Sequence, residues 1–199
     1  LGAGYGMGAE TFGMELKKFG YEVSPDEARR IINIYRDANY AISKVWRDAH
    51  HCIQQLASSR EALFGRKGII GVDAVKSALV MPSGLRILYD GLHAEQGERG
   101  LEYSYKTRRG RTRIYGGKVI ENVCQAIARC IIGEQMLRIN KKHKVVLTVH
   151  DSIVCCVKDN EVEQAQAYVE ECMRWTPDWA AGLPVDCESG TAKSYGDCE

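Results

Sequence analysis

The stretch that most limits what this chain can become is residues 144–157, KVVLTVHDSIVCCV. Two apolar, β-branched runs, residues 145–149 and 153–157, flank the polar triplet His150, Asp151 and Ser152. A sequence of this kind predicts two strands, buried on most sides and joined at a tight turn, with the polar residues at the tip. Asp and Ser are themselves turn formers, so the triplet is first of all a turn. A carboxylate beside an imidazole at the end of two rigid strands is also a place to hold a metal ion or a phosphate-bearing substrate.

A chain of 199 residues suffices for one substantial domain, or for a domain with a helical appendage. A net charge of +1 names no partner, so the distribution of charge matters more than its sum. The eight cysteines, at 52, 124, 130, 155, 156, 172, 187 and 198, contain no C-x-x-C pair, which argues against structural zinc. Several lie within apolar patterns, as small hydrophobes do in a reducing compartment, and the expected location is the cytoplasm. No apolar run approaches the roughly 20 residues of a membrane span and no signal-peptide pattern opens the chain, so no membrane partner is expected. The opening Leu1, inside a glycine-rich stretch and without a Met, reads as the start of a piece of something longer.

LGAGYGMG, residues 1–8, places Tyr5 as the one large side chain among glycines. Gly4, Gly6 and Ala9 imitate a dinucleotide fingerprint, but without a preceding strand the match is weak. Close approach of backbone to a ligand or a helix is the better use of these glycines. Ser24-Pro25-Asp26-Glu27 then combines an N-cap, Pro at the first helical position and Glu to complete a capping box. Apolar residues from Ala28 to Ala49 recur at helical spacing and predict one long amphipathic helix to about Gln55. Adjacent His50 and His51 point to different faces and make a poor metal pair, which favours structural or surface roles.

Residues 65–71 read as a loop, after which the chain turns β-rich. Residues 79–81 and 85–89 flank Pro82-Ser83-Gly84, a turn between strands. Residues 101–106 and 112–115 flank Arg108-Arg109-Gly110-Arg111, a second hairpin. From Tyr103 to Ile120 there are six Lys or Arg residues and no acid, interleaved with tyrosines. Such a run is often only a solvated face, yet Arg108, Arg109, Arg111 and Arg113 on one hairpin also suit a phosphate backbone.

A second long helix is expected from Gly117 to about Asn140, with Val119, Ile120, Val123, Ile127, Ile131 and Leu137 on its core face. Lys118, Glu121, Asn122, Gln125 and Arg129 form one polar stripe. A polar stripe is the default on a surface helix. This one carries amides, which both donate and accept as base edges in a minor groove require, and it follows the basic hairpin directly. Asp159 or Asn160 can cap a third helix over residues 161–175, ended by Pro177, and residues 183–187 read as a short strand. The order predicts an α+β fold, an antiparallel sheet carrying the His-Asp tip with helices on one face.

Three separated signals together resemble the C-terminal part of family A DNA polymerases. Leu147-Thr-Val-His150-Asp151-Ser152-Ile-Val is similar to the palm motif whose core is His-Asp-Glu between apolar strands. Leu1-Gly-Ala-Gly-Tyr5-Gly6-Met7-Gly8 resembles the end of the fingers helix that finishes in Tyr-Gly. Residues 118–129, with Gln125, are similar to the palm helix that tracks the primer-template minor groove. Met173-Arg-Trp175 and the closing Ser194-Tyr-Gly are similar to phage members.

The resemblance implies nucleotidyl transfer from a dNTP to a primer 3′-hydroxyl with Mg²⁺ as cofactor, Asp151 being one of two palm aspartates that hold a pair of ions. It implies His150 near the primer-terminal phosphate, and Leu1, Tyr5 and Gly6 beside the incoming nucleotide and template. Lys118, Glu121, Asn122, Gln125 and Arg129 would follow the duplex. Residues 1–64 would be a fingers remnant and residues 65–199 the palm, so the expected partners are primer-template DNA, dNTP and further upstream polymerase segments.

The departures are specific. The other metal-binding aspartate and the triphosphate-contacting lysine of the family would lie before Leu1. Leu1 stands where members often carry an aromatic ring, and Ser152 replaces the acid that usually follows the aspartate. These 199 residues are therefore expected not to polymerise alone. A module that holds duplex DNA without chemistry, with Asp151 an ordinary turn residue, and a polymerase that copies RNA are the other readings.

Overall fold

The structure is a computed structural model and describes residues 2–65, 68–97 and 100–198. The fold is α+β, with helices and three antiparallel sheets, ordered β1-β2-β3-β4, β5-β6-β7 and β8-β9 among the described residues. The chain divides into two compact units, Leu1–Ala126 and Ile127–Glu199, with the division falling inside one helix.

In the first unit a single 3₁₀ turn, Gly2–Tyr5, leads into α1 (Ala9–Lys18). Helix α2 (Pro25–Ala38) begins where the local chemistry directs it, with Ser24 Oγ accepting from the Glu27 N–H at 3.2 Å. The capping box is only half made, because both Glu27 carboxylate oxygens accept from Arg30 instead. The expected single helix is two. At Asn39, with φ −116° and ψ 45°, the chain leaves α2 and enters α3 (Tyr40–Ala57). Ala28, Ile32, Ala49, Cys52, Ile53 and Leu56 are the buried residues of this helix pair, whereas Ile42 is exposed.

The four-stranded sheet contains β1 (Leu63–Phe64), β2 (Ile70–Asp73), β3 (Ala78–Val80) and β4 (Arg86–Leu88). Ile70 and Gly71, expected in a loop, belong to β2 and pair with Phe64 and with Leu63 and Val80. The Pro82-Ser83-Gly84 hairpin forms as expected, with Val80 opposite Arg86 and Gly84 at φ +83°. A strand absent from the sequence reading, β5 (His93–Gly97), adds to the edge of the basic hairpin made by β6 (Gly100–Thr107) and β7 (Gly110–Ile114). Thr107 pairs with Gly110, so Arg108 and Arg109 alone make the turn.

Helix α4 (Gly116–Ile139) packs Val119 and Val123 inward in the first unit and Cys130, Ile131, Gln135 and Ile139 inward in the second. Leu137, expected inside, is 69 % exposed. In the second unit β8 (Val145–Val149) and β9 (Ser152–Cys155) form a separate two-stranded ribbon, followed by α5 (Val162–Arg174). The ribbon is less buried than its composition predicts, for Val146, Leu147 and Val149 are all exposed. Neither Asp159 nor Asn160 caps α5. Asp159 instead pairs with Lys193, and a 3₁₀ turn over Asp159–Glu161 precedes the helix.

Gln135 is 2 % exposed and its amide donates to the carbonyls of Met173 and Trp175, at 2.6 and 3.0 Å, satisfying the C-terminal end of α5. The Arg138 guanidinium lies 4.5 Å from the Trp175 ring centroid. Residues 183–187 are not a strand. Arg174 ties this segment down through Asp186 Oδ1 at 2.8 Å and the Cys187 carbonyl at 3.3 Å, and among the described residues no strand pairs with it. Among the described residues no helix is long and apolar enough to cross a membrane.

Candidate functional site

The His-Asp tip is a two-residue turn: Val149 pairs with Ser152, leaving His150 and Asp151 between the strands. His150 takes a left-handed backbone conformation, φ +53°, which the twist of a two-residue hairpin favours and which non-glycine residues adopt uncommonly. Both side chains are exposed at the end of the ribbon. A β-bulge between Val145 and Leu147 interrupts the register on the strand that leads to the tip.

As a metal ligand, Asp151 has the right chemistry for Mg²⁺, a hard cation that takes carboxylate oxygen. One carboxylate is not a metal site. Among the described residues no three His, Cys, Asp or Glu side chains are grouped to hold an ion.

In the first unit the Tyr-Gly stretch and the start of α4 meet directly. A Cβ on Gly117 would stand 2.1 Å from the Tyr5 carbonyl oxygen, and one on Gly116 would stand 1.8 Å from that of Trp46. These glycines therefore let backbone touch backbone. Among the glycines of residues 1–8, Gly4 and Gly8 have no backbone within 4 Å of a Cβ, whereas one on Gly6 would stand 3.9 Å from the Gly117 Cα. The doubled glycine at a helix start, where better helix formers exist, is the sequence signal of this contact. Gly6 sits at φ +87°, and the stretch is pinned by Trp46 Nε1 donating to the Gly4 carbonyl at 3.2 Å and Arg36 donating to that of Met7 at 3.3 Å. Leu1 lies outside the described residues.

The polar stripe of α4 is not uniform. Lys118 Nζ pairs with Glu121 Oε2 at 2.7 Å, which raises the lysine's pKa. Asn122 Nδ2 donates to the hydroxyl of Tyr89 at 3.2 Å, and Tyr89 is fully buried. Gln125 and Arg129 are exposed. Tyr89 was legible only as a strand-end residue, since its link to Asn122 spans 33 positions.

The basic hairpin divides likewise. Arg111 folds back onto its own sheet, donating to Ser104 Oγ, the Ser104 carbonyl and the Gly91 carbonyl at 3.0, 2.8 and 3.0 Å. Arg113 pairs at 2.5 Å with Glu102, which stands just outside the acid-free stretch. Arg108 and Arg109 are exposed at the turn.

Residues 1–197 match the family model described as DNA polymerase family A. A DNA polymerase of Bacillus phage SP02 is 29 % identical to the chain over 206 residues, covering 98 % of this chain and 31 % of that protein. The chain thus spans about a third of the length of that relative. No solved structure matches. With a match that runs through the Tyr-Gly stretch, the amide-bearing helix and the His-Asp turn, the chain belongs to DNA polymerase family A.

Proposed function

We propose that this chain is the fingers-remnant and palm portion, residues 1–64 and 65–199, of a DNA-directed DNA polymerase that transfers a nucleotidyl group from a dNTP to a primer 3′-hydroxyl. The observation that carries the reading is Asp151, exposed beside a left-handed His150 at a two-residue turn, in a chain of this family. Unusual backbone conformations held by a rigid scaffold cluster at functional sites.

Asp151 is the residue that would hold Mg²⁺, which when bound supplies Lewis acidity for an in-line displacement at phosphorus. The paired strands set the turn backbone from which that carboxylate projects. His150, beside it, offers a hydrogen bond to the primer-terminal phosphate. Gln125 and Arg129 are the stripe members with exposed side chains for duplex contact, and Arg108 and Arg109 are those of the hairpin. Asn122, Lys118 and Glu121 act from positions held by their own partners, and Arg111 and Arg113 support the hairpin that displays the turn. Tyr5 and Gly6 lie beside the nascent base pair.

With a single carboxylate at the tip, the 199 residues do not polymerise without the rest of the protein. Primer extension by the full-length protein tests the reading, using Mg²⁺, a primed DNA template and each dNTP separately. Addition of only the template-complementary nucleotide is expected. No addition, or addition indifferent to the template, contradicts it.

A further inference from the structure

Between the end of α4 and the start of β8 the second unit carries a turn of cations that no site residue above explains. From Gln135 to His150 the chain has no acidic residue, and Arg138, Lys141, Lys142, His143 and Lys144 fall in one short run. Lys141, Lys142 and Lys144 are exposed. The turn that displays them is fixed by its own backbone, the N–H groups of Lys141, Lys142 and His143 donating to the Arg138 and Ile139 carbonyls at 3.2, 3.0 and 2.9 Å.

Lysines at a helix C-terminus ordinarily answer the helix dipole, but that end carries only about half a negative charge. This turn sets three lysines against it, with Arg138 behind them on the Trp175 ring. Three other cations of the unit meet carboxylates: Lys158 pairs with Glu161, Arg174 with Glu170 and Asp186, and Lys193 with Asp159. Among the described residues no ion pair involves Arg138, Lys141, Lys142 or Lys144. Cations gathered without a counter-ion favour an anionic partner.

The surroundings of the turn select among anions. Leu137 in the last turn of α4 and Val146 in β8 are both exposed, so apolar surface borders the cations on either side in the chain. A phosphodiester backbone makes no use of aliphatic surface. The aromatic ring beside the turn is not free for a base either, because Lys142 Nζ stands over Tyr168 at 4.0 Å from the ring centroid and the His143 ring meets it edge-on at 5.7 Å. A peptide that mixes acidic and apolar side chains engages both components.

We propose that the α4–β8 turn is a docking surface for an acidic, apolar-bearing peptide segment of a partner protein, with carboxylates on Lys141 and Lys144 and an apolar side chain against Leu137. The turn lies at the base of the ribbon, and the His150–Asp151 tip lies at its other end, the five residues of β8 away, or about 17 Å. A partner held here is tied to the strand that leads to the tip without covering it. None of these residues belongs to the Asp151 turn, the α4 stripe or the arginine hairpin, so the surface stands whether or not the protein polymerises.

The test is fluorescence anisotropy with the full-length protein, using a labelled peptide alternating Asp and Leu, a second alternating Asp and Ser, and a labelled primer-template duplex. Lys141 and Lys144 are exposed and unpaired with carboxylates among the described residues, so the double variant Lys141→Gln with Lys144→Gln keeps the fold, which the thermal transition checks. This variant is expected to bind the Asp-Leu peptide about tenfold more weakly, as the loss of two exposed ion pairs would give, and to bind the duplex as the wild type does. Leu137→Gln should weaken the Asp-Leu peptide several-fold and leave the Asp-Ser peptide unchanged. Failure of the wild type to bind the Asp-Leu peptide, or binding by either variant equal to that of the wild type, overturns the proposal. An equal loss on the duplex also overturns it, by making nucleic acid the occupant.

Discussion

The Asn122 amide donates to the Tyr89 hydroxyl at 3.2 Å, joining α4 to the end of β4 at a tyrosine with no exposed surface. A residue that sequence periodicity places on a solvent-facing stripe is thus partly a structural residue. Asn122→Ala leaves a buried hydroxyl without its donor and is expected to cost about 1–3 kcal/mol in urea unfolding. Gln125→Ala, at an exposed position of the same stripe, should stay within about 0.5 kcal/mol. Equal losses from the two would show that the stripe is uniform after all.

Glycine matters in α4 by position. At Gly116 a Cβ collides with the Trp46 carbonyl, whereas at Gly133 nothing lies within 4 Å. Gly116→Ala forces the α3 backbone aside and should destabilise by about 1–3 kcal/mol. Gly133→Ala should stabilise by about 0.5–1 kcal/mol through helix propensity. Thermal unfolding of the two variants separates these outcomes, and a common direction would contradict the close approach.

Two buried groups of the first unit set an alkaline limit. Burial, followed by the charge of Asp48, pushes the Cys52 thiol up from near 9 to about 11, and burial pushes the Tyr89 hydroxyl up from near 10 to about 12. Both folded-state values lie above the unfolded ones, so the folded protein holds these protons more tightly. Their contributions are complete below pH 9 and are lost as pH rises towards 12. Unfolding free energy should fall across this window, and Tyr89→Phe should flatten the upper part of the decline. An unchanged slope in Tyr89→Phe would contradict the assignment.

The four hairpin arginines should not be equivalent on DNA. Arg108→Gln or Arg109→Gln is expected to lower the salt slope of duplex binding by about 1, because each head group stands at the turn. Arg113→Gln, which breaks a pair with Glu102, should change that slope less and mainly alter stability. Equal slope changes at all four positions would favour a uniform phosphate-binding face.

What could be read in advance was what is decided within a few residues. Ser24 and Pro25 place the start of α2, and the turn residues at 82–84 and 108–110 place both hairpins, because capping and turn chemistry are local. The break at Asn39 is not legible in the sequence, because the apolar period runs through it without interruption. Residues 183–187 have strand composition but pair with no strand among the described residues, and β5 has a polar composition yet pairs along its whole length with β6. Asp159, a suitable cap, is taken by Lys193, 34 residues away. The His-Asp turn was visible from its flanks, but the exposure of its ribbon was not, since β-branched composition does not say what covers a strand. Periodicity put Asn122 and Gln125 on one stripe and could not reveal that one of them finds a buried tyrosine.

The central claim is that Asp151 is a carboxylate of polymerase chemistry and not merely a turn former. Asp151→Ala in the full-length protein, assayed by single-turnover primer extension beside duplex affinity, tests it most directly. The account predicts that turnover falls by at least about 1,000-fold, about 4 kcal/mol of transition-state stabilisation, while Kd for primer-template DNA changes little. Turnover equal to that of the wild type would contradict it and return the His-Asp tip to ordinary turn chemistry.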